Sequence, residues 1–260
     1  MDEWQESLYG SRFAADYDLR AFGGPPDSDT QEAVTFLSGL LPGPGGRLLE
    51  LGSGTGRLLV PLAERAFDVQ GVELSPEMVA RMRDKPGAEG IPVLVGDMSA
   101  FSLEARFDIV LLAYNTLFSL LTQERQIQCL ERAAAHLEPD GQLVLECYAP
   151  YPMTKLPPKN VLSYSLTPDE VVLMPTLHDQ VAQTIEVNVV ALREDGIRLF
   201  PSRVRYAWPP EIDLMARLAG LTLRERWADW TREPFGPGSD GHVSVYAASA
   251  SVDKPLMAGG

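Results

Sequence analysis

The sequence predicts an α/β fold: a doubly wound, mostly parallel sheet, preceded by a helical cap and interrupted by an antiparallel β insertion. Three observations carry this expectation. From Arg47 onward, short apolar runs alternate with segments of helical periodicity. The runs are apolar on both faces, as strands covered by helices on each side must be. Between residues 161 and 207 the alternation stops, and extended segments follow one another directly.

Residues 1–45 read as the cap. Trp4, Leu8, Phe13, Tyr17 and Phe22 recur at loosely helical spacing around Gly10; "GGPPDSD" is a loop, and "TQEAVTFLSGLL" is a helix that "PGPGG" ends. Residues 46–149 read as the core. "RLLEL" is its first strand, "GRLLVPLAERA" a helix in which Pro61 predicts a kink, and "FDVQGVEL" its second strand. Ser75 caps the next helix, with Pro76 at its first position. "IPVLVGD" and "FDIVLLAY" are strands three and four. In "QERQIQCLERAAAHLE", Ile127, Leu130, Ala134 and Leu137 share a helical face, and "PDG" turns the chain into strand five, "QLVLECYA". Residues 150–208 form the insertion: a proline-rich crossing, then "VLSYSL", "EVVLMPTLHD", "QTIEVNVVAL" and "IRLFPSRVRYAW", with "REDG" as a hairpin turn. Residues 209–250 return to the core as the helix "PPEIDLMARLAG", closed by Gly220, and the strands "LTLRERWADW" and "HVSVYAAS". Residues 251–260 are a tail.

Composition narrows the function. The chain has 260 residues, with 22 Lys and Arg against 36 Asp and Glu and a formal net charge of −14. A nucleic-acid binder needs a basic face to neutralise phosphates, so no nucleic-acid partner is expected. Cys129 and Cys147 fall in a helical pattern and an apolar strand, where buried reduced thiols are expected. The acidic start "MDEWQESLYG" lacks an apolar signal region, and no run of about 18 apolar residues exists, so a soluble, cytoplasmic protein without a membrane partner is expected. No His, Cys or carboxylate spacing suggests a metal.

The chemistry begins at "LLELGSGTG". Glycines stand at 52, 54 and 56, with Glu50 two residues before the turn and Glu73 at the end of strand two. A dinucleotide fingerprint would place a third glycine where Arg57 stands. A diphosphate would also be repelled by a carboxylate aimed into the turn, whereas a ligand bearing an ammonium would be attracted. Side-chain-free positions let the backbone approach such a ligand. Glu73 is placed to accept two ribose hydroxyls, and Asp97, in "GDM", to accept from an exocyclic adenine amine. Amino acid, ribose and adenine in that order fit S-adenosylmethionine.

The segment from about Arg47 to Ala149 resembles the class I S-adenosylmethionine-dependent methyltransferases. "LLELGSGTG" is similar to their glycine motif, "GVELSPEMVARMR" to the ribose motif, "GDM" to the adenine motif, "FDIVLLAYNTLFSLL" to strand four, and "AAAHLEPDGQLVLE" to the helix and strand that follow. The resemblance implies a seven-stranded sheet whose last strand is antiparallel. It also implies that Gly52, Ser53, Gly54 and Gly56, with Glu50, face the methionyl part. Glu73 takes the ribose; Leu74 and Met78 flank the adenine; Gly96, Asp97 and Met98 meet its amine edge. Tyr114 walls the sulfonium end, and S-adenosylhomocysteine is the spent product.

"RFAADYD" resembles a segment of the small-molecule branch, which includes natural-product and amino-sugar N-methyltransferases, and implies that Tyr9, Phe13 and Tyr17 close over the cofactor. The acceptor is then a small molecule, methylated at oxygen or nitrogen, with residues 150–208 as its lid or as a dimer arm of a monomeric or homodimeric enzyme. "AYNTLF" lacks the prolines of nucleic-acid amino-methylating enzymes, and Ser119 stands where some relatives carry a histidine base. His178, in "PTLHDQ", is therefore the candidate base, with Tyr17 and Tyr114 as further catalytic candidates. The alternative for His178 is an exposed turn residue. His136 suits a helix C-terminus, and His242 a strand edge or turn. Arg203 and Arg205 bind an acidic acceptor or belong to a paired surface. Two other functions are open: a cyclisation or rearrangement on the same cofactor site, and cofactor binding without catalysis.

Overall fold

A computed structural model describes residues 27–248. The positions Tyr9, Phe13 and Tyr17, most of the cap and the tail lie outside the described residues. The elements are α1 (Asp27–Leu40), β1 (Arg47–Leu51), α2 (Leu59–Glu64), β2 (Asp68–Glu73), α3 (Pro76–Arg83), β3 (Val93–Val95) and β4 (Phe107–Leu112). A 3-10 turn (Thr116–Ser119) leads to α4 (Gln123–Ala135), β5 (Leu137–Tyr148) and the single turn α5 (Tyr151–Thr154). Then come β6 (Lys159–Leu166), β7 (Glu170–Asp179), β8 (Thr184–Arg193), β9 (Gly196–Arg205), α6 (Pro209–Leu218), β10 (Leu221–Trp227) and β11 (Gly241–Ala248).

Seven strands form one sheet in the order β10-β11-β5-β4-β1-β2-β3. β1 pairs in parallel with β2 and β4, and β4 with β5, whereas β11 runs antiparallel to both β5 and β10. The expected seven-stranded sheet with an antiparallel last strand is therefore what the chain forms. Its two faces bury separate apolar layers: Leu49, Leu51, Val110, Leu112, Leu143 and Leu145 face α4 and α6, while Leu48, Ile109, Leu111, Val144 and Val245 face α1 and α2. Strands with both faces covered account for the uninterrupted apolar runs.

β6 to β9 form a separate antiparallel meander, with Arg193 opposite Gly196 across the "REDG" turn. β9 reaches the 3-10 turn, and Ile185 and Tyr206 join the core beneath α6, so the base of the meander sits on the C-terminal end of β4.

Two local expectations are corrected. Pro61 does not kink α2. The helix starts at Leu59, so the proline occupies the first turn, where a missing N–H breaks no helical bond. The buried face of α4 is Gln126, Cys129, Leu130 and Ala133, with Ile127 and Ala134 only partly buried. Leu137 belongs to β5, because the helix ends at His136.

Candidate cofactor and methyl-transfer site

The glycine turn joins the C-terminal end of β1 to α2. Gly52, Gly54 and Gly56 have φ of 72°, 56° and 74°. A Cβ on Gly52 would stand 2.4 Å from Thr116 Cγ2, and one on Gly56 would stand 2.5 Å from Met82 Cγ. Both dihedral and space demand glycine at these two positions. The turn is pinned from β2: Gly52 and Ser53 N–H groups donate to the Val72 carbonyl at 2.7 and 3.2 Å. Glu73 is 7% exposed, and its Oε2 and Oε1 accept from Gly54 N–H at 2.8 Å and Ser75 N–H at 2.9 Å. Burial pushes its carboxyl above the usual range, against the pull of those donors.

Glu50 is 5% exposed, and its Oε2 has no hydrogen-bond partner among the described residues. Burial pushes its pKa up to about 8; Arg57 opposes the rise, and Glu73 and Glu146 add to it. Ser53 Oγ is likewise buried without a partner. Two unmatched polar atoms beside a side-chain-free turn are costly in an empty protein. An ammonium or carboxylate group of S-adenosylmethionine supplies what they lack, so the residues present fit that cofactor.

Around the turn, Met78 is buried with its Cε 3.6 Å from where a Gly54 Cβ would lie, while Leu74 is 37% exposed. Gly96 N–H donates to the Glu73 carbonyl at 2.8 Å, which ties the end of β3 to the end of β2. Asp97 Oδ1 accepts from Ser99 N–H at 2.9 Å and Ser99 Oγ at 2.8 Å, and Oδ2 pairs with Arg125. Burial raises the Asp97 carboxyl, but Ser99 and Arg125 outweigh it and hold it below the usual range. Met98 packs against the core beside it.

At the exit of β4, Tyr114 and Asn115 both take left-handed backbones, with φ of 50° and 66°. Tyr114 N–H donates to Glu146 Oε2 at 2.7 Å, and the Arg57 guanidinium lies 5.8 Å from its ring centroid. Arg57 Nη1 in turn donates to Thr30 Oγ1 of α1 at 3.2 Å. Burial raises the Tyr114 phenol, opposed by Arg57, and Tyr164, Glu146 and Asp29 raise it further.

The histidines are engaged elsewhere. His178 is 7% exposed, so it is not an exposed turn residue; it sits on β7 with Nε2 2.9 Å from Tyr206 Oη, and its Nδ1 has no partner. Among the described residues, its hydrogen bond and ring contact are both to Tyr206, not to the glycine turn. His136 Nδ1 lies 2.7 Å from the Arg132 carbonyl, and its Nε2 accepts from Leu103 N–H at 2.9 Å. His242 is not at a strand edge but 1% exposed within β11, with Nδ1 2.8 Å from Ser244 Oγ; burial and Arg226 push its pKa down to about 3. Arg205 is enclosed by Glu211, Gln126 and Gln183, and Arg203 pairs with Glu186, so both are internal or paired charges. Cys129 and Cys147 are buried and their thiols are pushed upward by that burial.

Glu146, Arg57 and Arg125 were missed by sequence reasoning. Glu146 carried one signal: an acid inside the apolar run "LVLECYA" of β5, where an unpaired charge is disfavoured. Among the described residues, no three His, Cys, Asp or Glu side chains gather to hold a metal, and no helix is long and apolar enough to cross a membrane.

Comparison with known proteins places this geometry. A family model described as a methyltransferase domain matches residues 48–141. The solved structure of the CcbJ methyltransferase from Streptomyces caelestis is 40% identical and superposes with a TM-score of 0.88, covering 94% of this chain and 99% of that one. The cypemycin N-terminal methyltransferase of a Streptomyces species is 28% identical over 203 residues, which are 78% of this chain and 83% of the relative. A dTDP-3-amino-3,6-dideoxy-alpha-D-glucopyranose N,N-dimethyltransferase from Streptomyces fradiae is 40% identical over 100 residues, 38% of each chain.

Proposed function

The chain belongs to the class I S-adenosylmethionine-dependent methyltransferases and acts on a small molecule, and from that premise we propose that its acceptor atom is an amine nitrogen. The observation that carries this reading is the charge around Tyr114. Glu146 and Asp29 act on that ring, Glu50 lies buried at the adjoining turn, and the three histidines are bonded elsewhere.

The cofactor supplies a methyl group already activated by its sulfonium, so the protein's work is alignment and exclusion of water. An alcohol or phenol acceptor also needs its proton removed, whereas an amine that has shed its proton to solvent attacks directly. Asp29, which acts on the Tyr114 ring, and the net charge of −14 favour the approach of a cationic acceptor. Glu50, Ser53 and the glycines hold the methionyl end, Glu73 the ribose, Met78 and Asp97 the adenine. Tyr114 and Tyr164 flank the acceptor, under the meander as a lid. Two of the relatives are named as an N-terminal methyltransferase and an amino-sugar N,N-dimethyltransferase, which supports nitrogen.

The test is a panel of amino sugars and peptide N-termini beside matched hydroxyl analogues. Expected is a gain of one methyl on nitrogen with release of S-adenosylhomocysteine. Methyl placed on oxygen would overturn the amine assignment, and a product formed without methyl gain would overturn transfer itself.

A further inference from the structure

We propose that Glu146 is a positioning residue for methyl transfer, fixing Tyr114 in its left-handed backbone at the mouth of the site; this rests on the methyl-transfer reading above. A tyrosine and an asparagine in succession at φ of 50° and 66° are unusual, because the left-handed region crowds a Cβ against the backbone. β5 imposes the bend. Tyr114 N–H donates to Glu146 Oε2 at 2.7 Å, Asn115 N–H donates to the Glu146 carbonyl at 3.0 Å, and Asn115 Oδ1 accepts from Tyr148 N–H at 2.5 Å. One residue thus holds two successive amides, once with its side chain and once with its backbone.

The other carboxylate oxygen is committed as well. Glu146 Oε1 accepts from Trp230 Nε1 at 2.9 Å, and the Trp230 ring packs edge-on against Phe36 of α1, with centroids 5.4 Å apart. From the opposite side Arg57 covers the Tyr114 ring and is tied to Thr30 of the same helix. The carboxylate therefore joins the exit of β4, the segment before β11 and, through Trp230, α1. A carboxylate can accept from two N–H donors at once. With one donor at each terminal atom, a carboxamide offers its oxygen to one of them and turns an N–H of its own toward the other.

That asymmetry defines the experiment. In Glu146→Gln the Trp230 indole N–H and the Tyr114 amide compete for the single oxygen, and the NH2 faces whichever donor loses. Expected is a fall in kcat of about tenfold or more, with affinity for S-adenosylhomocysteine by calorimetry kept within about threefold. In 15N–1H spectra of the ligand-free protein, the Tyr114 amide proton should lie far downfield and move upfield in Glu146→Gln. Adding Trp230→Phe removes the competing donor, so the double variant should restore both the downfield amide and most of kcat. An unmoved Tyr114 amide, or a loss of kcat that the double variant deepens, would overturn the proposal. Wild-type protein keeps the proposal testable should the variants fail to fold: its Tyr114 amide must shift as Glu146 titrates, and a pH-invariant signal would overturn it. The spectra need no acceptor, so failure to methylate any amine would count against the proposed acceptor alone.

Discussion

Glu73 accepts the amide of Gly54 from across the cofactor cleft, Oε2 to N at 2.8 Å, and so braces the turn whose ligand it is expected to share. Its second oxygen caps Ser75 N–H at the start of α3. A single buried carboxylate therefore shapes the glycine turn and starts the following helix, and its remaining lone pairs are the ones we assign to the ribose hydroxyls.

Glu73→Ala should weaken cofactor binding and lower stability together. Hydrogen bonds to a charged group contribute on the order of 1.5–3 kcal/mol each, and two backbone donors are left unmatched. Affinity for S-adenosylhomocysteine should fall by well over about tenfold, with a lower Tm. Glu73→Gln should fall between, since its oxygen satisfies one of the two donors. Calorimetry showing wild-type affinity in both variants would remove Glu73 from the site.

Glu50 makes binding depend on pH. Its folded pKa of about 8 lies above the ordinary 4.5, so the protein without cofactor favours the neutral acid. That contribution to stability is complete below the ordinary value and is lost as pH rises through about 8, at up to about 1.4 kcal/mol per pH unit. A cationic ligand beside Oε2 favours the anion, so binding releases a proton and affinity should rise with pH until about 8, then level. Calorimetry at about pH 7 in two buffers of different ionisation enthalpy measures the release directly. Glu50→Gln should bind more weakly with no proton release and a Tm less sensitive to pH; equal proton release in wild type and variant would refute the assignment.

The same two acids show how far the sequence could be read. Three glycines between a strand and a helix, with carboxylates at 50 and 73, are local spacings, and local spacings survive folding. The pairing of Asp97 with Arg125 and of Glu146 with Tyr114 and Trp230 joins residues 28, 32 and 84 positions apart. No periodicity marks such contacts. Tyr114 and Asn115 carry no glycine to announce a left-handed backbone. His178 and His242 read as turn and edge because burial there depends on how the meander and β11 meet the core. Glu146 was legible only as an anomaly, an acid inside the apolar run "LVLECYA".

Gly52 is a test of crowding as well as of dihedral. Gly52→Ala places a Cβ 2.4 Å from Thr116 Cγ2 at a φ of 72°. The backbone conformation costs about 1–2 kcal/mol and the overlap about 1–3 kcal/mol. Thr116→Ser removes Cγ2, so the double variant should regain the second part but not the first. A double-mutant cycle from chemical denaturation separates them; zero coupling between the two sites would show that Thr116 moves aside and that only the dihedral matters.

His178 is expected to matter for the seating of the meander more than for the reaction. It is buried, and its Nε2 meets Tyr206 Oη 2.9 Å away at the foot of β9, where Ile185 and Tyr206 enter the core. Removing the ring leaves a buried phenol unmatched, at about 1–3 kcal/mol, together with a cavity. His178→Ala should therefore lower Tm by several degrees while kcat stays within about threefold of wild type. Tyr206→Phe should show much the same loss, and the double variant less than the sum, because both break one bond. A kcat reduced about a hundredfold in His178→Ala at unchanged Tm would instead make this histidine the base and reopen an oxygen acceptor.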